Sequence, residues 1–287
     1  MIATALLPSP PEGEGVKPRL SPMSEFGSHR ARKRFGQNFL VDQSIINRIV
    51  ESIDPHAGQH IVEIGPGQAA LTRKLIAALG AKGSIDAIEI DRDLVARLVH
   101  EFDAGKLRVH QADAMEFDFA TLPAPLRVVG NLPYNISTPI LFRLCEYEDR
   151  ISDMTFMLQK EVVDRMAAGA DEDARGRLSV MLQYRFKIEK CFDVPPTAFK
   201  PVPAVDSSIV RLTPLADKRL KPQDEKAFAL MVTHAFAKRR KMLRNSLSAW
   251  VTPDGWGAIG VDPKARAEDL TTAEFVAISD WAFVNKT

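Results

Sequence analysis

The stretch HIVEIGPGQAALT, His60–Thr72, decides the fold. His60–Gly65 is a short, nearly continuous apolar run, the pattern of a strand covered on both faces. Ala69–Leu79 repeats apolar residues at helical spacing. Between them stand Gly65 and Gly67. Glycines that follow a strand and open a helix let the backbone approach a ligand closely, because no side chain intervenes. Outward from this unit the alternation continues. Ser84–Ile90, Leu107–His110, Leu126–Asn131 and Met154–Leu158 read as strands, and Arg92–Phe102, Pro139–Glu146 and Glu161–Ala168 as helices. Buried strands separated by helices predict an α/β fold with a mostly parallel sheet. Phe186–Val194 and Ser207–Leu212, with the Pro-rich loop Pro195–Pro203 between them, add an antiparallel terminal strand and bring the sheet to seven strands. Beyond Pro214 no strand pattern remains. Glu225–Trp250 and Thr272–Phe283 read as helices of a small all-α C-terminal domain. The expected organisation is a disordered leader over 1–28, an α/β domain over 29–213 and a helical domain over 214–287.

Composition narrows the function classes. The 287 residues are 45% hydrophobic and 26% charged, with 16 Gly and 19 Pro, which excludes collagen-like and largely disordered chains. Thirty-eight basic residues against 37 acidic ones leave a net charge of +1, so any nucleic-acid surface must come from local segregation of charge. Cys145 and Cys191 are too few for a disulfide framework or a four-thiolate zinc site. His110 and the other histidines show no metal-ligand spacing, and no metal is expected. No apolar run approaches the ~18–20 residues that span a bilayer. Met1–Leu7 lacks the basic start of a signal peptide. A cytoplasmic monomer with no membrane association is expected.

Two acids extend the glycine loop into a site. Glu89 closes the second strand, 22 residues after Gly67, where a carboxylate can accept from both hydroxyls of a ribose. Asp113 follows the third strand, where an acid can accept from an adenine amino group. Gly65, Gly67, Glu89 and Asp113 at successive strand ends describe an adenosine-bearing cofactor. Two fit: a nicotinamide dinucleotide, with Ala70 as third small residue of the fingerprint, or S-adenosylmethionine.

The fourth strand ends in GNLPYNIST, Gly130–Thr138. Asn-Leu-Pro-Tyr at this point resembles the adenine-N6 methyltransferase motif. RKRFGQNFL (Arg32–Leu40), VEIGPGQAALT (Val62–Thr72), FKPVPAVDS (Phe199–Ser207) and RRKMLRNSL (Arg239–Leu247) resemble the small-subunit ribosomal RNA adenine dimethyltransferases, from about Arg32 to the C-terminus. The resemblance implies a Rossmann-like, S-adenosylmethionine-dependent fold and dimethylation of two adjacent adenosines near the 3′ end of that RNA. It also implies that Asn38 and Leu40 contact the cofactor, with Asn131 beside them. The residue types suit the chemistry. An adenine exocyclic nitrogen is a poor nucleophile, its lone pair delocalised into the ring. If Asn131 Oδ1 and the Leu132 carbonyl accept its two N–H bonds, the lone pair is turned out toward the methyl donor. Pro133 fixes the backbone that aims the carbonyl. Tyr134 offers a face for the base, and Phe199 is expected to close the other. The target must leave its helix to reach such a pocket.

Basic residues cluster twice. Arg30, Arg32, Lys33 and Arg34 precede the fold. Lys238, Arg239, Arg240, Lys241 and Arg244 fall on the helix predicted over Glu225–Trp250, whose other face carries Phe236, Leu243, Leu247 and Trp250. Residues 211–287 hold 13 Lys+Arg against 9 Asp+Glu, a balance of +4. Phosphate contacts from these residues would position RNA without reading its sequence. Three other functions compete. A large-subunit ribosomal RNA methylase of the antibiotic-resistance type would share the glycine loop and Asn-Leu-Pro-Tyr. A non-catalytic ribosome-assembly factor would not need an intact Asn131–Tyr134 and Glu89. A nicotinamide dehydrogenase would need a catalytic dyad, and no His, Lys or Tyr is placed for one.

Overall fold

The computed structural model describes residues 38–238 and 240–285. The leader, the basic residues Arg30, Arg32, Lys33 and Arg34, and Arg239 lie outside the described residues. The chain opens with a two-residue strand β1 (Phe39–Leu40) and helix α1 (Gln43–Ile53), followed by β2 (His60–Ile64), α2 (Ala70–Leu79), β3 (Ser84–Glu89), α3 (Arg92–Glu101), β4 (Leu107–Gln111) and β5 (Leu126–Asn131). Then come α4 (Ser137–Cys145), β6 (Ile151–Gln159), α5 (Lys160–Ala167), α6 (Arg177–Gln183), β7 (Phe186–Val194), β8 (Phe199–Lys200) and β9 (Ser207–Pro214). Helices α7 (Glu225–Phe236), α8 (Leu243–Ser246), α9 (Gly255–Ile259) and α10 (Thr272–Val284) complete it.

Seven strands form one sheet in the order β4-β3-β2-β5-β6-β9-β7. The pairs from β4 to β6 are parallel, and β9 runs antiparallel to both β6 and β7. The reversed strand is thus the last in the chain but sits one place in from the edge. β1 pairs separately with β8, Leu40 opposite Phe199. The strand order reverses between β2 and β5, and such a switch point opens the crevice in which α/β sheets hold ligands.

Successive strand residues face opposite sides, so β2 feeds two cores. Val62 and Ile64 pack with Phe156, Ile140, Leu144 and Val163 under α4 and α5. Ile61 packs with Ile85, Val129, Ile49, Ile53 and Leu75 under α1 and α2. α1 lies on that face because Ile45, Ile46, Ile49 and Ile53 recur along one side. It starts where the Asp42 carboxylate accepts from the Ser44 and Ile45 amides, and ends at Asp54 in the left-handed region. A third core joins Val180 and Met181 of α6, and Tyr184 just after it, to Phe228, Leu243, Trp256 and Phe275. Fully buried Arg175 ties that region to the upstream chain, donating to the carbonyls of Ala168 and Leu270, to Gln183 Oε1 and to Thr272 Oγ1.

One predicted element is corrected. The helix expected over Glu225–Trp250 is broken: α7 ends at Phe236, and only the four residues of α8 are helical after it. In a continuous helix the amides of Leu243 and Arg244 would bond back to residues 239 and 240. Instead they donate to the carbonyls of Ala265 and Pro263, at 2.8 and 3.1 Å. The loop around Pro263 takes the bonds that would have carried the helix through. Leu243 and Leu247 are buried all the same.

Candidate active site

The carboxyl ends of β2, β3, β4 and β5 surround a cavity of about 260 Å³. At the end of β2 the Gly65 amide donates to the Ile88 carbonyl at 2.9 Å, and the chain turns so that the Ala69 amide reaches the Pro66 carbonyl. Gly65, Gly67 and Ala69 all have positive φ, 68°, 57° and 61°. At Gly67 a Cβ would also stand 3.3 Å from the Phe39 ring, so the loop is shaped by β1 as well as by its own backbone.

Glu89, at the end of β3, is buried. Its Oε2 accepts from the Gly67 amide at 3.2 Å and its Oε1 from the Asp91 amide at 2.9 Å. Burial raises its pKa, and the two amides partly offset that. The carboxylate thus spans from the third strand to the glycine loop. Asp91 caps α3 through the Asp93 amide. Asp113, after β4, accepts from the Met115 amide at 2.8 Å, which fixes its carboxylate at the cavity wall.

The end of β5 is held just as closely. At Gly130 a Cβ would lie 2.5 Å from the Ile64 carbonyl oxygen, so only glycine lets β5 run this near β2. Asn131 Nδ2 donates to the Asn38 carbonyl at 3.2 Å, and the amide therefore presents Oδ1 as its acceptor end. The Leu132 amide donates to the Met157 carbonyl at 3.3 Å. The Tyr134 hydroxyl is 3.0 Å from Ser207 Oγ, which ties the Asn131–Tyr134 turn to the start of β9.

The sequence-predicted residues Asn38, Leu40, Gly65, Gly67, Glu89, Asp113, Asn131, Leu132, Pro133, Tyr134 and Phe199 all line this one cavity. Phe199 does so as a wall: it is 1% exposed, packed in the core under α1 and paired with Leu40. Lys238, Arg240, Lys241 and Arg244 are exposed, but they do not share one helix: the first three lie at the break between α7 and α8, and Arg244 lies in α8. Among the described residues no cluster of His, Cys, Asp or Glu has the arrangement of a metal site.

Residues 28–283 match the ribosomal RNA adenine dimethylase profile. The chain belongs to the ribosomal RNA adenine dimethylase family. It is 54% identical over 253 residues to ribosomal RNA small subunit methyltransferase A of Aromatoleum aromaticum, covering 88% of this chain and 94% of that one. The same-named protein of Acinetobacter baylyi is 51% identical over 265 residues, 91% and 95% of the two chains. Among solved structures, a dimethyladenosine transferase from Plasmodium falciparum superposes with a TM-score of 0.71 at 23% identity, over 84% of this chain and 95% of that one. The 23S rRNA methyltransferase ErmE superposes with 0.69 at 26% identity, over 86% and 100%. A dimethyladenosine transferase and a 23S rRNA methyltransferase thus share this fold, and the higher identities are to the small-subunit methyltransferases.

As a member of this family the chain is a methyltransferase that uses S-adenosylmethionine. The residues present fit that cofactor. Glu89 brings acceptors to the ribose side, and the glycine loop leaves room for close backbone approach. A buried oxygen, Glu63 Oε2, has no hydrogen-bond partner among the described residues and stands in the cavity lining. Sequence reasoning missed Glu63 and Thr155. Both line the cavity floor, and Thr155 Oγ1 is likewise unpartnered. The signal was present: Glu63 is a lone acid in the otherwise apolar run Ile61–Ile64.

Proposed function

We propose that this chain dimethylates the N6 amines of two adjacent adenosines near the 3′ end of small-subunit ribosomal RNA, in the cytoplasm and as a monomer, during assembly of the small subunit. The observation that carries the reading is the anchored Asn131 amide, set between β1 and β5 in the same cavity as Glu89 and Asp113.

S-adenosylmethionine supplies an electrophilic methyl group. The protein's task is to hold an adenine amine in line with it. Asn131 Oδ1 and the Leu132 carbonyl accept the two N6–H bonds, and pairing both removes the lone pair's overlap with the ring. Because Asn38 fixes Asn131 and Met157 fixes the Leu132 peptide, the acceptors are oriented before the base arrives, which is where positioning catalysis gains most. Tyr134 stacks on the base, its ring angle set by Ser207. Phe199 backs the cavity wall opposite, and Ile90, 45% exposed in the lining, offers an apolar seat for the cofactor's adenine. A monomethyl amine keeps one N–H for one acceptor, so the same site serves the second transfer. The helical region after 214 holds the RNA by phosphate contacts from Lys238, Arg239, Arg240, Lys241 and Arg244, with Arg32, Lys33 and Arg34 contributing from before the fold.

The experiment uses unmethylated small and large ribosomal subunits with purified protein, read by mass spectrometry of nucleosides. Two N6,N6-dimethyladenosines per small subunit and none on the large subunit are expected. Asn131→Ala is expected to lower transfer at least ~100-fold while RNA affinity holds, the pattern of an interaction made in the transition state. Methylation of the large subunit alone, or equal losses of RNA affinity and turnover, would overturn the assignment.

A further inference from the structure

The floor of the cavity holds an acid with one buried oxygen that nothing among the described residues pairs. Glu63 stands in β2 opposite Val129 of β5, which stands opposite Thr155 of β6. Residues in one such cross-strand row share a face, so Glu63 and Thr155 flank Val129 on the floor. They lie one pleat below Asn131, which shares Val129's face. Glu63 is 2% exposed. Glu63 Oε2, Thr155 Oγ1 and Thr72 Oγ1 of the overlying α2 are buried without a hydrogen-bond partner among the described residues. An unpaired buried carboxylate is costly, whereas its neutral form is tolerated. A leucine would pack this floor more cheaply, so an acid with an unpaired oxygen here points to a cationic ligand as its missing partner.

We propose that Glu63 is the proton-linked anion of the cofactor cavity: neutral in the free protein, ionised when the cationic end of the cofactor is bound, its proton passing to solvent on binding. The inference rests on S-adenosylmethionine being the ligand. That molecule carries two cations, an ammonium and a sulfonium, and either supplies the positive charge that Glu63 meets.

The surroundings support the direction. Burial is the main reason the Glu63 pKa rises, to about 7; the Thr72 hydroxyl, close by but not in hydrogen-bonding geometry, opposes the rise and the Glu89 charge on β3 adds to it. Other charged groups on the flanking elements act elsewhere. Arg48 of α1 stacks over Phe192, Glu51 is exposed, Arg73 of α2 pairs with Glu101, and Arg211 of β9 stands one strand beyond Thr155 in the row. Lys74 of α2 is half-buried, and Asp91 and Asp113 are engaged by backbone amides or a helix cap. A cation beside Glu63 favours the ionised form. Below about pH 7 binding must therefore expel a proton, and above it the proton is already gone.

The test is titration calorimetry of the wild-type protein near pH 6 and pH 8, each in two buffers of different ionisation enthalpy, so that proton release is counted directly. With S-adenosylmethionine, release approaching one proton is expected near pH 6 and almost none near pH 8, with affinity about tenfold weaker at the lower pH. Methylthioadenosine keeps the adenine and ribose but neither cation, and it should release no such proton. S-adenosylhomocysteine keeps only the ammonium: release with it assigns the partner to the ammonium, and none assigns it to the sulfonium. Glu63→Gln should abolish the release and flatten the pH profile. No release with S-adenosylmethionine, equal release with methylthioadenosine, or release surviving in a folded Glu63→Gln protein would each overturn the proposal. If Glu63→Gln does not fold, the three ligands on the wild type decide it. Failure of S-adenosylmethionine to bind at either pH would overturn the cofactor assignment itself.

Discussion

Replacing Glu89 by glutamine isolates the ribose acceptor from the fold. The side chain keeps its length, but one of its two oxygens becomes an amino group. In the wild type both oxygens are used, one by the Gly67 amide and one by the Asp91 amide. An ionised carboxylate has about four lone-pair sites, so each oxygen can accept a ribose hydroxyl in addition. Glutamine has one acceptor oxygen and no charge, and its amino group must face either a backbone N–H or a hydroxyl. Hydrogen bonds to charged groups contribute roughly 1.5–3 kcal/mol each. Losing one outright and weakening the other gives a deficit of about 2–3 kcal/mol, or about 30- to 150-fold in cofactor Kd. Stability should move little, because removing a buried charge relieves desolvation while one backbone bond is lost. Calorimetric Kd for S-adenosylmethionine measured beside a thermal melt gives both numbers. A folded variant whose Kd stays within about threefold of wild type would refute the role of Glu89 and the orientation of the cofactor along the strand ends.

Two further expectations follow from other parts of the molecule. Asp86, in the middle of β3, accepts from His60 and His110, each at 2.6 Å, with Arg108 nearby; burial pushes its pKa up, but these partners outweigh it and hold the carboxyl below the usual range. A depressed carboxylate stabilises the fold above its unfolded pKa of roughly 3.9 and loses that contribution as pH falls through the lower folded value. Asp86→Asn should therefore lower Tm at neutral pH, and the gap to wild type should close as pH falls below the usual carboxylate range; an equal gap at neutral and at acid pH would show that the Asp86 charge contributes nothing. At the α7–α8 break, the double charge reversal Arg240→Glu with Lys241→Glu should weaken binding to small subunits and flatten its salt dependence by about two phosphate contacts, cofactor Kd unchanged. Identical slopes in a filter-binding salt titration would remove this turn from the RNA interface.

Much of the architecture is legible in residue order because local and tertiary demands agree. Ile61–Ile64 is apolar apart from Glu63 because it is covered on both faces, and the glycines after it are needed where φ turns positive. The placement of the last two strands was also written in the chain, in charge. Phe186–Val194 carries Lys187, Glu189, Lys190 and Asp193, and it forms the sheet edge, where charged side chains protect unpaired backbone. Ser207–Leu212 is nearly all buried and lies inside. The break after Phe236 was not legible. Leu243 and Leu247 keep helical spacing, and residues 237–242 contain neither Gly nor Pro. What stops the helix is a backbone contact with a loop some twenty residues downstream, and no periodicity encodes that.

The site shows where such reading ends. Gly65, Glu89, Asp113 and Asn131, which all line the cavity, were legible at the strand termini because position at the carboxyl edge of a parallel sheet is itself a functional cue, whereas the apolar Ile90 beside them gave no such signal. Glu63 and Thr155 sit below that edge, inside strands, where the expected task of a side chain is packing. Their polarity becomes informative only when the register shows them in one row and the hydrogen-bond pattern shows both unsatisfied. A buried polar atom without a partner is a debt of roughly 1–3 kcal/mol that some other state of the molecule must settle. The edge residues therefore mark the cavity, and under the role proposed for Glu63 the floor residues are the part that the cofactor completes. If so, cofactor binding should stabilise this fold by more than its contacts at the strand ends alone would supply.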